Sequence, residues 1–390
     1  MPNLQHPCKI LIVTTNFPRW KNDFRAPFIV EVAKALVKNG HQICVLTMHN
    51  PGSLEYEKFD EIEVHRIRYA KDEDETLQID SAGIPAAWKR GFSSKRKLFN
   101  FFINLSVGII KYSRGVDLIH ANWTLSGIAA FLSRPFHRLP YVVTVHGSDI
   151  YGIKANPGLR LPTKLALNNA KKVIAVSQDL KQTAIELGVQ ADKIIVIPTG
   201  VSLSAFPYNP NSARSPQVLF VGSLIKRKGL NILLDAFSKI HSQFPNIKLV
   251  IVGEGEEKSN ILFQADNLNI ASDIIYMGTK SQFEISQLMR ESKVFVLPSL
   301  EEGQGAVLVE AMASGTPCIG SRVGGIPGVI DSSTGLLFSP GNSDELARNL
   351  IVLLSDLELW NRLSINGRRK AESQYSWSTL ADRIAKTYSL

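Results

Sequence analysis

Residues 9–48 read KILIVTTNFPRWKNDFRAPFIVEVAKALVKNGHQICVLTM. KILIVTTNF (9–17) is a continuous apolar run bounded by turn residues, the pattern of a strand buried in a parallel sheet. FIVEVAKALVKNG (28–40) carries apolar residues at helical spacing and stops at Gly40, which suits a helix C-cap. HQICVLTM (41–48) returns to the strand pattern. Strand, crossover helix and strand make one βαβ unit, which predicts a parallel sheet covered by helices. Further strands are predicted at 61–69, 117–123, 141–147, 171–177 and 193–200, with helices at 124–134, 160–170 and 178–188 between the later ones.

SLSAFPYNPNSARSPQ (202–217) is rich in Ser, Pro and Asn and reads as a linker. Beyond it a second series begins, with strands at 218–223, 248–255, 274–278, 293–299, 316–321 and 334–338 and a helix at 345–355. The fold class expected is therefore α/β with two doubly wound domains, the first over 1–205 and the second over 206–370. The tail from about 357 is helical in pattern without another strand, so it must pack on something already built.

The length of 390 residues agrees with two or three domains. With 44% hydrophobic and 20% charged residues, the chain can bury a sizeable core, which excludes disordered and fibrous classes. The longest mostly apolar run, LFNFFINLSVGII (98–110), has thirteen residues including two Asn, short of the about eighteen that a membrane-spanning helix needs. MPNLQHPCKILIV, with Lys9 alone as a basic residue, does not resemble a signal peptide. A cytoplasmic location is expected. Cys8, Cys44 and Cys318 lie far apart, so neither a disulfide frame nor a zinc site is expected, and all three read as buried thiols.

The net charge of +9 is unevenly divided. Residues 1–200 hold 26 Lys and Arg against 17 Asp and Glu, and residues 201–390 hold 18 against 18. A basic first half suggests a polyanionic surface met by one domain, either nucleic acid or an anionic membrane face.

In open parallel sheets, ligands bind beyond the carboxyl ends of the strands. SLEEGQGAVLVEAMASGTP (299–317) places Glu301, Glu302, Gly303 and Gly305 in such a loop and starts a helix near Ala306 and Val307. Glu302 and Glu310 can address two ends of one ligand, carboxylates suiting sugar hydroxyls and the helix N–H groups a diphosphate. The same spacing also suits a helix cap with Glu310 on a solvated face. VGSLIKRKG (221–229) sets Gly222, Ser223, Lys226, Arg227 and Lys228 before Gly229, either a diphosphate cradle or a solvated basic turn. TVHGSDIY (144–151) pairs His146 with Asp149, a catalytic or sugar-contacting pair or a structural one. DEDE (72–75) reads as a surface acidic run, and no metal site is expected.

EGQGAVLVEAMASGTP, VGSLIKRKG, VTVHGSD, IPTGV and NFPRWKNDFRAPFIVEVAKALVKNGH resemble, in this order and spacing, the family 4 retaining glycosyltransferases of the GT-B fold, over nearly the whole chain. The resemblance implies two Rossmann-like domains with a cleft between them, a helix at 371–390 returning to the N-terminal domain, and domain closure. It implies a nucleotide-sugar co-substrate in the C-terminal domain, with no other cofactor and no metal. Glu310 would hold the ribose hydroxyls and Glu302 would lie by the transferred sugar. Lys228 and Arg227, with Gly222, Ser223, Gly303, Gly305, Ala306 and Val307, would line the donor site. His146 would sit at the reacting centre, and Asn16, Arg25 and Asp149 on the acceptor side. Ser223 stands where Arg is common, Thr199 where Asn is usual and Gln304 where Phe is frequent.

Such transfer is drawn as front-face attack, with the leaving diphosphate taking the acceptor's proton. Two rivals stand beside it: a glycoside hydrolase using Glu302 and Glu310 as acid and base, and a non-catalytic sugar- or nucleic-acid-binding module on the same fold. WKRGFSSKRKLFNFFINLSVGIIKYSRG (88–115) carries Lys89, Arg90, Lys95, Arg96, Lys97, Lys111 and Arg114 with no acidic residue, interleaved with Trp88 and four Phe. It suits a membrane interface, while its apolar part 98–110 equally suits a core helix. The expectation is a peripheral enzyme on the inner membrane face, acting on a glycan or lipid-linked acceptor in surface polysaccharide or glycolipid synthesis. Nucleic acid is not expected as a partner.

Overall fold

The apolar runs become strands in the computed structural model, which describes residues 7–20, 23, 25–77, 91–153, 156–210 and 213–389. The chain divides into two units, Met1–Thr199 with Trp377–Leu390, and Gly200–Ser376.

The first unit runs β1 (Lys9–Val13), α1 (Pro27–Lys38), β2 (Gln42–Met48), β3 (Tyr56–Phe59), β4 (Ile62–Ile67), α2 (Phe92–Tyr112), β5 (Leu118–Asn122), α3 (Thr124–His137), β6 (Tyr141–Val145), α4 (Ser148–Tyr151), α5 (Arg160–Asn169), β7 (Lys172–Ala175), α6 (Gln178–Glu186) and β8 (Ile194–Val196). Its sheet has the order β3-β4-β2-β1-β5-β6-β7-β8. Every pairing is parallel except β3 with β4. Central β1 is buried throughout from Ile10 to Val13 because its alternate residues face two different helix layers. Leu11 and Val13 join one core with Phe101, Leu105 and Ile109 of α2. Ile10 and Ile12 join another with Ile29, Ala33 and Leu36 of α1.

The second unit runs β9 (Ser215–Val221), α7 (Leu230–Ile240), β10 (Lys248–Val252), α8 (Lys258–Asn267), β11 (Ile274–Tyr276), α9 (Gln282–Glu291), β12 (Ser292–Leu297), α10 (Ala306–Ala313), β13 (Cys318–Ser321), α11 (Ile326–Val329), β14 (Gly335–Phe338), α12 (Ser343–Ser355) and α13 (Leu357–Tyr375). Its all-parallel sheet has the order β11-β10-β9-β12-β13-β14. The direction of winding reverses between β9 and β12, so the loops following these two strands lie side by side at the switch point, where open α/β sheets bind ligands.

The last helix, α14 (Trp377–Ser389), belongs to the first unit. Leu380, Ala381, Ile384 and Tyr388 are buried in the core shared with α1. A buried Leu or Ile is worth about 1.5–3 kcal/mol, which accounts for a strandless tail docking there. The returning segment begins at Trp377 rather than at 371.

Several other readings are corrected. The stretch 202–217 is not a loose linker. Phe206 is buried in the second core, and the Arg214 guanidinium donates to the carbonyls of Met289 (2.9 Å), Ser314 (3.1 Å) and Gly315 (3.1 Å) and to Thr316 Oγ1 (2.9 Å). Residues 56–59 form an edge strand that had no separate signal. Glu75, at the end of the acidic run, is buried against His49 Nδ1. Cys318 is buried, but Cys8 and Cys44 are only half-buried. Trp88, Lys89 and Arg90 lie outside the described residues. No helix among the described residues is long and apolar enough to cross a membrane.

Candidate active site

The loop after β9 is folded tightly onto the loop after β12. Gly222 N–H bonds Val252 O at 3.0 Å, and Lys226–Lys228 make one 3₁₀ turn ending at Gly229. Gly229 has φ +65°, and a Cβ there would sit 2.1 Å from Pro298 O. Only glycine fits both constraints. The N–H of Leu300 then bonds Arg227 O at 2.7 Å, stitching the two loops together. Gly229→Ala is accordingly expected to push the loops apart, costing about 1–3 kcal/mol of stability, which thermal melting reads.

That clamp brings Lys228 to Glu302 across 74 positions of sequence, Nζ to Oε2 at 2.5 Å. Both side chains are largely buried, 16% and 13% exposed. Ser299 Oγ, at the end of β12, donates to the same carboxylate oxygen at 3.3 Å. Burial alone would raise the Glu302 carboxyl, but Lys228 and Arg227 outweigh it and hold it below the usual range, so it stays ionised. Gly305, at φ +86°, caps α10. The first N–H groups of the helix, including those of Ala306 and Val307, have no intrahelical acceptor and face outward as at any helix start.

Glu310 lies inside α10, half-buried, and its carboxylate has no hydrogen-bond or ion partner among the described residues. Burial pushes it up to about 7. A solvated outer face would not do this, so the structure removes that alternative for Glu310. Gln304 is buried in the loop between the two glutamates. Gly303 is buried beside it, and Ser223 is half-buried.

In the first unit, His146 follows β6 at the carboxyl edge of the sheet. Its Nε2 lies 3.0 Å from Asn122 Oδ1, and its ring lies between Phe28 (5.2 Å) and Trp123 (4.6 Å). Burial pushes its pKa down to about 3, so the ring is neutral at ordinary pH. With Asn122 Oδ1 as acceptor, Nε2 carries the proton and Nδ1 the lone pair. Asp149 accepts from the N–H groups of His146 (3.1 Å), Gly147 (2.9 Å) and Thr124 (3.0 Å). It therefore holds the His146 loop in place through backbone bonds.

Phe28, His120, Asn122, Thr144, His146 and Trp377 line a small pocket at this edge. Asn122 is 2% exposed, and its Nδ2 has no partner among the described residues. It was not singled out in the sequence, though a polar residue ending DLIHAN, a strand running into the binding edge, was the available signal. Arg25 Nη1 donates to Asn50 Oδ1 at 3.0 Å, and Asn16 Oδ1 is buried with no partner among the described residues. Both belong to the β1–α1 segment on the same edge, from which Phe28 reaches His146. Among the described residues, Cys44/Glu63/His65 and His49/Asp72/Glu75 each bring three possible ligand atoms within 4.8 Å of one another.

Residues 206–370 match the family model described as Glycosyl transferases group 1, and residues 26–205 match that of Glycosyltransferase Family 4. A glycosyltransferase of Methanocaldococcus jannaschii is 32% identical over 332 residues, covering 84% of this chain and 90% of that one. Among solved structures, sucrose-phosphate synthase from Thermosynechococcus elongatus superposes with a TM-score of 0.82 at 22% identity, over 98% of both chains. The Anabaena protein HepE in complex with UDP-glucose gives 0.75 at 21%, over 98% of this chain and 99% of that one. The chain belongs to the family 4 glycosyltransferases, and its two doubly wound domains have the GT-B fold.

Proposed function

We propose that the protein transfers a sugar from a nucleotide diphosphate donor to a glycan acceptor with retention of configuration and without a metal ion. The observation that carries this reading is the arrangement at the switch point of the second unit: Lys228 held by Glu302 beside the start of α10, with the unpartnered Glu310 beyond. In this reading Glu310 accepts from both ribose hydroxyls, and Lys228 with the helix N–H groups neutralises the diphosphate in place of a cation. The HepE complex with UDP-glucose makes UDP-glucose the first probe.

The acceptor hydroxyl attacks the anomeric carbon on the face that the diphosphate leaves. The new C–O bond forms as the bond to the diphosphate oxygen breaks, and the hydroxyl proton passes to that oxygen. Glu302 holds Lys228 in line and accepts from a sugar hydroxyl. Neutral His146 offers Nδ1 to a sugar hydroxyl, its ring fixed by Asn122 and its loop by Asp149. A lipid-linked acceptor on the inner membrane face, in surface polysaccharide or glycolipid synthesis, suits the basic first half of the chain. The product's anomeric proton in NMR tests retention, and transfer in EDTA tests metal independence; an inverted product or loss of transfer in EDTA overturns the respective point.

The raised Glu310 carboxyl adds a pH prediction. Ribose hydroxyls prefer the ionised form, so a ligand using Glu310 must displace a proton below about pH 7. UDP-glucose affinity is expected to rise about ten-fold from pH 6 to pH 8, and calorimetry on Glu310→Gln should show that dependence flattened. His146, already neutral, contributes nothing in this window.

A further inference from the structure

Three helices of the first unit, α2, α3 and α5, lie side by side over one face of its sheet, α2 against α3 and α3 against α5. Their inner sides carry the core through Leu98, Phe101, Leu105 and Ile109, Ala129 and Ala130, and Leu167. A helix covering a sheet ordinarily turns a polar side outward. These interrupt that polar side with apolar side chains. On α2, Phe99, Ile103 and Val107 face solvent at four-residue steps; Leu132 and Phe136 of α3 and Leu161 and Leu165 of α5 repeat the spacing. These seven side chains are between 43% and 73% exposed. The run 98–110 is thus both a core helix and an outward apolar stripe.

The charge on the same helices is one-sided. Lys95, Arg96, Lys111, Arg134, Arg160 and Lys164 are exposed, and none of the three helices contains an Asp or Glu. Lys97, also on α2, pairs with Asp74 at 3.2 Å.

We propose that the outer faces of α2, α3 and α5 form one surface that docks the first unit on an anionic lipid bilayer. Apolar side chains enter the headgroup boundary while long basic stems reach back to lipid phosphates. Seven exposed apolar side chains on three adjacent helices mark an interaction site, and the charge selects the partner. A second copy meeting this face with its own would bring the six exposed cations of these helices against one another. Nucleic acid would be met largely by aliphatic side chains, which do not stack on bases. The surface deepens the peripheral-membrane element of the reading above, and rests on that reading only for the acceptor's location.

The test is co-sedimentation of the full chain with vesicles of phosphatidylcholine alone and of equal phosphatidylcholine and phosphatidylglycerol, at about 50 and about 500 mM salt. Binding to the anionic vesicles is expected, weakened at high salt. Lys95→Gln/Arg96→Gln and Phe99→Gln/Phe136→Gln should each lower it about ten-fold, with unchanged circular dichroism and an unchanged melting shift with UDP-glucose. No binding to the anionic vesicles overturns the proposal. So does binding that both double variants leave intact, or lipid-free self-association in velocity sedimentation that Phe99→Gln/Phe136→Gln abolishes. A chain that docks through these residues yet binds no nucleotide sugar leaves the surface standing and sinks the transfer reading.

Discussion

Lys228→Ala is expected to lower turnover about a hundred- to a thousand-fold, the effect of removing one preorganised donor from a developing negative charge. The leaving diphosphate loses its point charge, and Glu302 loses the partner that keeps it ionised and in line. Because Lys228 and Glu302 are mostly buried together, at 2.5 Å, the single variant also loses stability, as when one member of a buried pair is left alone. Lys228→Ala/Glu302→Gln separates the two effects: the melting temperature recovers and turnover does not. Lys226, exposed on the same 3₁₀ turn, has no such contact, and Lys226→Ala should transfer within about two-fold of the parent. Normal turnover in Lys228→Ala would move the diphosphate to Arg227.

Glu310→Ala is expected to weaken UDP-glucose binding about ten- to a hundred-fold, the worth of hydrogen bonds to a charged group, yet to leave the fold no less stable. The sign follows from protonation. Burial raises the folded carboxyl to about 7, above its unfolded value of about 4.3. The folded state therefore binds the proton more tightly, and its stability falls as pH rises between the two values. Above pH 7 the fold carries an ionised group with no partner, so Glu310→Gln should melt higher than the parent at pH 8 while binding UDP-glucose less well. A Glu310 on a solvated face, the other reading of the spacing, would produce neither a melting shift nor a binding change.

Much of this was legible in the sequence. Parallel strands buried on both faces are continuous apolar runs, so KILIV, YVVTV and KLVIV announce themselves, and the glycine-containing loops after them mark the binding edge. What escaped depends on contacts between distant positions. Composition made 202–217 a linker because Ser, Pro and Asn are turn residues, yet Arg214 satisfies five acceptors that local sequence does not display. Edge strand β3, YEKF, lacks the β-branched residues that signal a strand. Glu75 sits in an acidic run that reads as surface, and only the fold sets it against His49. The residues at the switch point were named from their loops, but the ion pair that joins Lys228 to Glu302 exists only once β9 and β12 are neighbours. The neutral state of His146 likewise comes from burial, with His120 nearby, among groups brought from other elements.

The account stands most directly on nucleotide-sugar binding by the second unit. Thermal melting with UDP, GDP and ADP sugars measures it, since a ligand at 100 times its dissociation constant stabilises the protein by about 2.7 kcal/mol. At least one sugar nucleotide should raise the melting temperature of the parent chain, with the shift reduced in Glu310→Ala. No shift with any of them, or the same shift in the parent and the variant, would contradict the account.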